Sequence, residues 1–211
     1  MTQTGRVRAI YDRSAPKYDK RIAFFERILF AGGREWVCSR AAGDVLEIAV
    51  GTGRNLTLYP PGVRLTGVEL SPAMLEIARA RARSHGIEAD LRVGDAQALE
   101  MPDAAFDSVV VTLALCTIPD DRKAVAEIAR VLRPGGRVLL LEHVRSPLRV
   151  VRLGQRLLEP LALRFEGDHL TRDPLDHLRG AGFVVKEIVR SKAGIVELVA
   201  ATKRTEPQPS L

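Results

Sequence analysis

Residues Val45–Asn55 read VLEIAVGTGRN. A short apolar run carries one acid, Glu47, and then breaks into Gly51-Thr52-Gly53. The run predicts a buried β-strand. Two glycines one residue apart let the backbone turn tightly and approach a ligand with no Cβ in the way. In an open α/β sheet, ligands bind beyond the carboxyl ends of the strands. The stretch therefore reads as a first strand with its ligand loop.

Working outward, strands and helices alternate. RLTGVEL (Arg64 to Leu70) predicts a second strand, with Gly67 marking a close backbone approach. SPAMLEIARARARSHG predicts a helix with Ser71 as N-cap, Pro72 at its first position and Gly86 at its stop. ADLRVGDA and FDSVVVTLAL predict the third and fourth strands, and DRKAVAEIARVLRPGG a helix ended by Pro134 and two glycines. RVLLLEHV predicts the fifth strand. A helix over Asp173 to Ala181 follows, then FVVKEIVRS and IVELVAAT, close enough to pair as a hairpin through Lys192–Gly194. The alternation predicts a mostly parallel sheet with one antiparallel strand. Residues 1–40 predict a helical cap segment bent at Gly32-Gly33, residues 41–203 the main domain, and residues 204–211 a disordered tail.

The chain has 211 residues, enough for one domain. It lacks the apolar run of about 18 residues that a membrane span needs. MTQTGRVRAIYDRSAPKYDKR has no apolar h-region, which argues against a cleaved signal peptide. Cys38 and Cys116 form no CxxC pair, so no structural metal is expected and a reducing cytoplasm fits. The net charge of +6 comes from scattered arginines without an aromatic platform or recognition helix. That pattern argues against nucleic acid and is compatible with anionic small molecules or lipid head groups.

The loops after the strands select the ligand. A dinucleotide fingerprint requires GxGxxG, and Leu56 stands where its third glycine belongs. No GK[ST] follows, so a P-loop is excluded. Glu47 suits a cationic ligand better than a pyrophosphate. S-adenosylmethionine carries an amino group, a sulfonium and no phosphate. Glu69, ending the second strand, can accept hydrogen bonds from both ribose hydroxyls. Asp95 in Gly94-Asp95-Ala96 offers an acceptor for the adenine amino group. A nicotinamide oxidoreductase and a catalytically silent cofactor-binding module are the competing readings.

VLEIAVGTGRN, LTGVELSPAMLEIAR, VGDAQALEMPDAAFDSVVV and RVLRPGGRVLLLEH resemble the successive motifs of class I S-adenosylmethionine-dependent methyltransferases, in order and spacing. YDRSAPKYD resembles the lead-in of the quinone C-methyltransferase branch. The resemblance implies a Rossmann-like, doubly wound seven-stranded sheet of order 3-2-1-4-5-7-6 with strand 7 antiparallel. It implies that Glu47, Gly51 and Gly53 hold the methionine end of the cofactor, and that Glu69 binds the ribose. Leu70 would lie beside the adenine, with Asp95 and Ala96 on the ring. Thr112 and Leu113 would lie near the methyl group, and Tyr18 would close over the site.

The acceptor side has no fixed signature. Methyl displacement needs alignment above all, and a base only where the acceptor sheds a proton. His143, at the end of the fifth strand, and His169, beside Asp168 in FEGDHLTRD, are the candidate catalytic residues. Cys116 reads as pocket lining. RLLEPLALRFEGDHLTRDPLDHLRGAGF resembles a branch with alkyl-thiol S-methyltransferases and proteins labelled phospholipid N-methyltransferases, which implies a lipophilic acceptor. Residues 145–172 then read as its lid, with a peripheral membrane contact as a further option.

Overall fold

A computed structural model describes residues 1–205; the expected disordered tail lies outside them from residue 206 onward. The strands are β1 (Asp44–Ile48), β2 (Arg64–Glu69), β3 (Ala89–Val93), β4 (Phe106–Thr112), β5 (Leu132–His143), β6 (Phe183–Ser191) and β7 (Val196–Lys203). They form one sheet of order β3-β2-β1-β4-β5-β7-β6. Every pair from β3 to β5 is parallel, and β7 runs antiparallel to both β5 and β6. The Rossmann-like architecture is as expected, including the C-terminal hairpin.

The helices are α1 (Gln3–Leu29), α2 (Gly33–Cys38), α3 (Pro72–Ser84), α4 (Asp121–Val131), α5 (Arg149–Phe165) and α6 (Pro174–Gly180). Gly32, left-handed at φ 75°, makes the turn between α1 and α2. Ser71 caps α3 by accepting from the Met74 N–H at 3.2 Å, with Pro72 behind it. Gly67 packs as its sequence context implies: a Cβ there would stand 2.7 Å from the Leu91 side chain.

Period-two alternation distributes the core over both sheet faces. Leu46, Ile48, Val109, Val111, Val138 and Leu140 join Ala124, Val125 and Ile128 of α4 and Leu178 of α6. Val45, Val110, Leu139 and Leu141 join Val37 and Cys38 of α2 and Leu75 and Ala78 of α3. Each large side chain removed from water stabilises the fold by about 1.5–3 kcal/mol.

One boundary differs from the sequence reading. Helix α4 ends at Val131, and β5 starts at Leu132 rather than after Gly136. Phe106 pairs with Leu132 and Ser108 with Arg137, so a bulge absorbs Pro134-Gly135-Gly136 within the strand. Gly135 turns at φ 79°, and a Cβ at Gly136 would stand 2.9 Å from the Arg133 carbonyl oxygen.

Helix α5 is tied to the segments before and after it by one buried polar side chain. The Ser146 N–H donates to Gln155 Oε1, and Gln155 Nε2 donates to the Val144 and Leu170 carbonyls, each at 2.9 Å. Gln155 is the only buried residue of α5, and Leu153, Leu157, Leu158 and Leu161 face solvent.

Candidate active site

A cleft of about 720 Å³, open mouth included, lies at the carboxyl edge of the parallel strands. Its floor is the β1 turn, with Ala49 and Gly51 in the wall. Ala49 takes φ 55° and Gly51 φ 59°. Leu113, the residue after β4 in the same wall, takes φ 55°. Left-handed backbone at non-glycine residues costs about 1–3 kcal/mol each and concentrates at ligand sites. A Cβ built at Gly51 would meet only the Ala49 carbonyl, 3.8 Å away, so this glycine opens space. Gly53, at φ 79°, does the reverse. A Cβ there would stand 2.7 Å from Leu56 and 3.1 Å from Ala78, so Gly53 packs the turn onto α3 and is absent from the wall.

Glu69 ends β2 and is buried. One carboxylate oxygen accepts from the Gly51 N–H at 2.9 Å, the other from the Ser71 N–H at 2.8 Å. Each oxygen keeps a second lone pair, and the residue lines the cleft. Burial nevertheless raises its carboxyl above the ordinary range, against the backbone N–H groups that lower it. Leu70, Asp95, Ala96 and Thr112 complete the part of the wall expected from the sequence. Asp95 Oδ1 accepts from the Gln97 N–H and side-chain amide, both at 2.9 Å.

The structure sets Glu47 behind this wall. Position 47 shares a strand face with Val45, so its side chain enters the layer under α2 rather than the loop edge. It is 1% exposed. Asn55 Nδ2 and the Tyr59 hydroxyl each donate to it at 2.8 Å. Asn55 also donates to Thr112 Oγ1 at 3.1 Å, and Arg34 Nη1 donates to both Asn55 Oδ1 and Thr112 Oγ1 at 2.9 Å. Glu47 thus reaches the cleft through Asn55 and Thr112, as a support.

Burial pushes the Glu47 carboxyl from 4.5 up to about 7. Such a group contributes stability that is fully present below about pH 4.5 and lost as the pH rises through about 7. The loss is on the order of 3 kcal/mol. Glu47→Gln keeps an acceptor for Asn55 and offers its amide to the Tyr59 oxygen. The variant is expected to show a flatter decline of Tm between about pH 5 and 8 than the parent. An unchanged slope would remove Glu47 as the cause.

Helix α1 roofs the cleft, with Val7, Arg8, Tyr11 and Tyr18 in the wall. Asp12 accepts from Ser71 Oγ at 2.6 Å and Asp19 from Thr52 Oγ1 at 2.6 Å, and Arg81 also pairs with Asp19. The Tyr11 and Tyr18 rings meet edge-on with centroids 6.3 Å apart. Burial pushes the Tyr18 hydroxyl up to about 12, so it acts as a neutral donor. Tyr11, Asp12 and Asp19 were not among the expected site residues. Their signal was available: in YDRSAPKYD each Tyr-Asp pair recurs seven residues on, which brings both pairs to one helix face. Gln97, Met74 and Thr117 also line the cleft, with no comparable signal.

Beyond Tyr11 lies a second, part-buried cluster. His143 Nε2 stands 2.9 and 3.0 Å from the two oxygens of Asp168. A carboxylate only accepts, so Nε2 carries the proton and Nδ1 is left as the basic nitrogen. Asp168 outweighs burial and holds the imidazole above its ordinary value. Cys116 Sγ joins them, the three ligand atoms lying within 4.8 Å of one another. Burial and the carboxylates of Asp168 and Glu142 drive this thiol upward, so it is protonated at neutral pH. Tyr11 links the two clusters, lining the cleft while its hydroxyl feels Cys116 and Asp168. His169 is differently placed. Its N–H donates to the Cys116 carbonyl at 2.9 Å, and its ring points to Glu159 of α5, 3.7 Å away. Burial and nearby Arg172 keep it below the ordinary histidine value. Arg172 ties this crossing segment to the β4–α4 loop through the carbonyls of Leu115 and Pro119.

The wall suits an adenosyl ligand: a carboxylate with free lone pairs at the second strand, an open glycine at the first and an acceptor at the third. Residues 46–140 match the family model described as a methyltransferase domain. The chain is similar to a phosphatidylethanolamine N-methyltransferase of Cereibacter sphaeroides, 40% identical over 52% of this chain and 56% of that one. It thus spans little more than half the length of that relative. It is also similar to a human thiol S-methyltransferase, 32% identical over 79% of this chain and 70% of that one. Its fold matches a SAM-dependent methyltransferase from Thermotoga maritima, with a TM-score of 0.72 over 94% of this chain and 100% of that one at 23% identity.

Proposed function

Since the chain belongs to the class I S-adenosylmethionine-dependent methyltransferases, we propose that it methylates a small, lipophilic acceptor through an ionisable thiol, amine, hydroxyl or quinol group. The observation that carries this reading is the part-buried His143–Asp168 pair, which lies beyond Tyr11 and just outside the cofactor cleft. Bound S-adenosylmethionine supplies an electrophilic methyl on a sulfonium and leaves as S-adenosylhomocysteine. Glu69 would hold the ribose, Leu70, Asp95 and Ala96 the adenine, and Gly51 would give the methionine end its room. Thr112, Leu113 and Tyr18 border the reacting centre. Glu47 and Gly53 support the turn from behind.

His143 Nδ1 would take the proton that the acceptor X–H sheds on methylation. Asp168 orients the imidazole and stabilises the cation that forms. The Cys116 thiol stays protonated and does not compete for the methyl. Of the lid expected over residues 145–172, α5 turns Leu153, Leu157, Leu158 and Leu161 to solvent and leaves 166–172 as the acceptor-side part, with His169 as one of its anchors rather than as the base. Apolar wall residues, including Met74, Leu113 and Ile118, fit a lipophilic acceptor. The amine acceptor named for one relative and the thiol named for another support this range.

The test is a radiolabelled-methyl screen of alkanethiols, long-chain amines, phenols and quinols with the purified protein. Labelled product from one class, matched by stoichiometric S-adenosylhomocysteine, is expected. Cofactor binding with no transfer to any class would favour the silent binding module instead.

A further inference from the structure

We propose that the outward face of α5 docks the protein on an anionic lipid bilayer. Protein helices ordinarily turn their apolar stripe inward. Helix α5 does the opposite. Val150, Leu153, Leu157, Leu161 and Phe165 recur at spacings of three and four, on one face, and all are exposed. Val150 is 84% exposed and Leu157 73%. Gln155, which bonds to the segments flanking the helix, lies on its other side. Contiguous apolar surface of this kind marks an interaction site.

Helix α1 carries a second group of exposed apolar side chains. Arg21 pairs with Glu166, next to Phe165, at 3.4 Å. Phe24, Phe25 and Ile28 follow Arg21 at three, four and seven residues, which keeps them on its helix face, and all three are exposed. Two helices, linked by that ion pair, therefore both present large exposed apolar side chains.

Charge identifies the occupant. Within α5, Arg149, Arg152, Arg156 and Arg164 face a single acid, Glu159, whose carboxylate is engaged by Thr171 at 2.6 Å. On a helical wheel, Arg149 and Arg156 flank the stripe and Arg164 sits within it. Lys17, Lys20 and Arg27 are exposed on α1. An apolar stripe bordered by arginines fits a helix lying in a lipid interface, its leucines among the acyl chains and its guanidinium groups on phosphates. A protein partner would be expected to answer the arginines with acids, and a second copy of this chain brings more arginines. No described helix is long and apolar enough to cross a membrane, so the contact is peripheral. The inference rests on this surface alone and survives failure of the base assignment.

The experiment is co-sedimentation of the full chain with phosphatidylcholine vesicles, with and without phosphatidylglycerol, across a salt series. Binding to the anionic vesicles is expected to be at least about tenfold stronger than to neutral ones and to weaken with salt. The double variant Leu157→Asp, Leu161→Asp is expected to lose at least about tenfold in vesicle affinity. Its Tm and cofactor affinity should be retained, because both side chains are exposed. The proposal is overturned if the parent ignores vesicles or if the double variant binds them equally well. It is also overturned if light scattering finds a stable dimer that this variant dissociates.

Discussion

Replacing His143 with alanine is expected to lower kcat by about 10²–10⁴-fold while leaving the cofactor Kd within about twofold. The split follows from position. His143 lies outside the cofactor cleft, so its loss removes a proton acceptor and no cofactor contact. The pH profile supplies the readout that a packing role would not move. A base works deprotonated, and Asp168 holds His143 above the ordinary histidine value. The acid limb of kcat/KM should therefore lie above about pH 6.5, and activity should fall below it. Asp168→Asn removes the charge that raises the imidazole, so the limb should move to lower pH even as kcat drops. His143→Gln, which fills the same volume without a titrating nitrogen, should be as slow as the alanine variant. A kcat within about threefold of the parent in either variant would dismiss His143 as the base. A limb that stays put in Asp168→Asn would dismiss the pairing.

The fold was legible because its signals are periodic and local. Alternation of short apolar runs with capped helices needs only the side-chain period and the turn chemistry of Ser71, Pro72 and Gly86. The Pro134-Gly135-Gly136 bulge was missed because the same residues that stop a helix can start a strand when a neighbour pairs with them. The site was legible where a residue sits at a strand end, as Glu69, Leu70, Thr112 and Leu113 do. It was less so for Glu47, because being in the motif is not the same as being at the edge. Strand parity sends that side chain under α2 to Asn55 and Tyr59. Asp168 is a different case. Its partner His143 lies 25 residues back on another element, and such a pairing is set by how the chain returns after α5.

Replacing Glu69 with alanine is expected to raise the Kd for S-adenosylhomocysteine by about 100-fold, or about 2.7 kcal/mol. The magnitude rests on hydrogen bonds from two ribose hydroxyls to an ionised acceptor, each worth about 1.5–3 kcal/mol, reduced by the desolvation of both partners. Glu69 is well set for this role. Its oxygens are held by the Gly51 and Ser71 N–H groups at 2.9 and 2.8 Å, so little side-chain freedom is lost on binding. The same bonds make alanine costly to the turn, since two buried N–H groups lose their acceptor. Loss of affinity alone would therefore not separate ribose recognition from a collapsed loop. A 2′-deoxy analogue of the ligand does. The parent should bind the analogue about tenfold more weakly than S-adenosylhomocysteine, and Glu69→Ala should bind the two alike. The cycle isolates the contact between the carboxylate and that hydroxyl from whatever the turn has lost. Equal discrimination in parent and variant would place the ribose elsewhere and leave Glu69 as a brace between the first two strand loops.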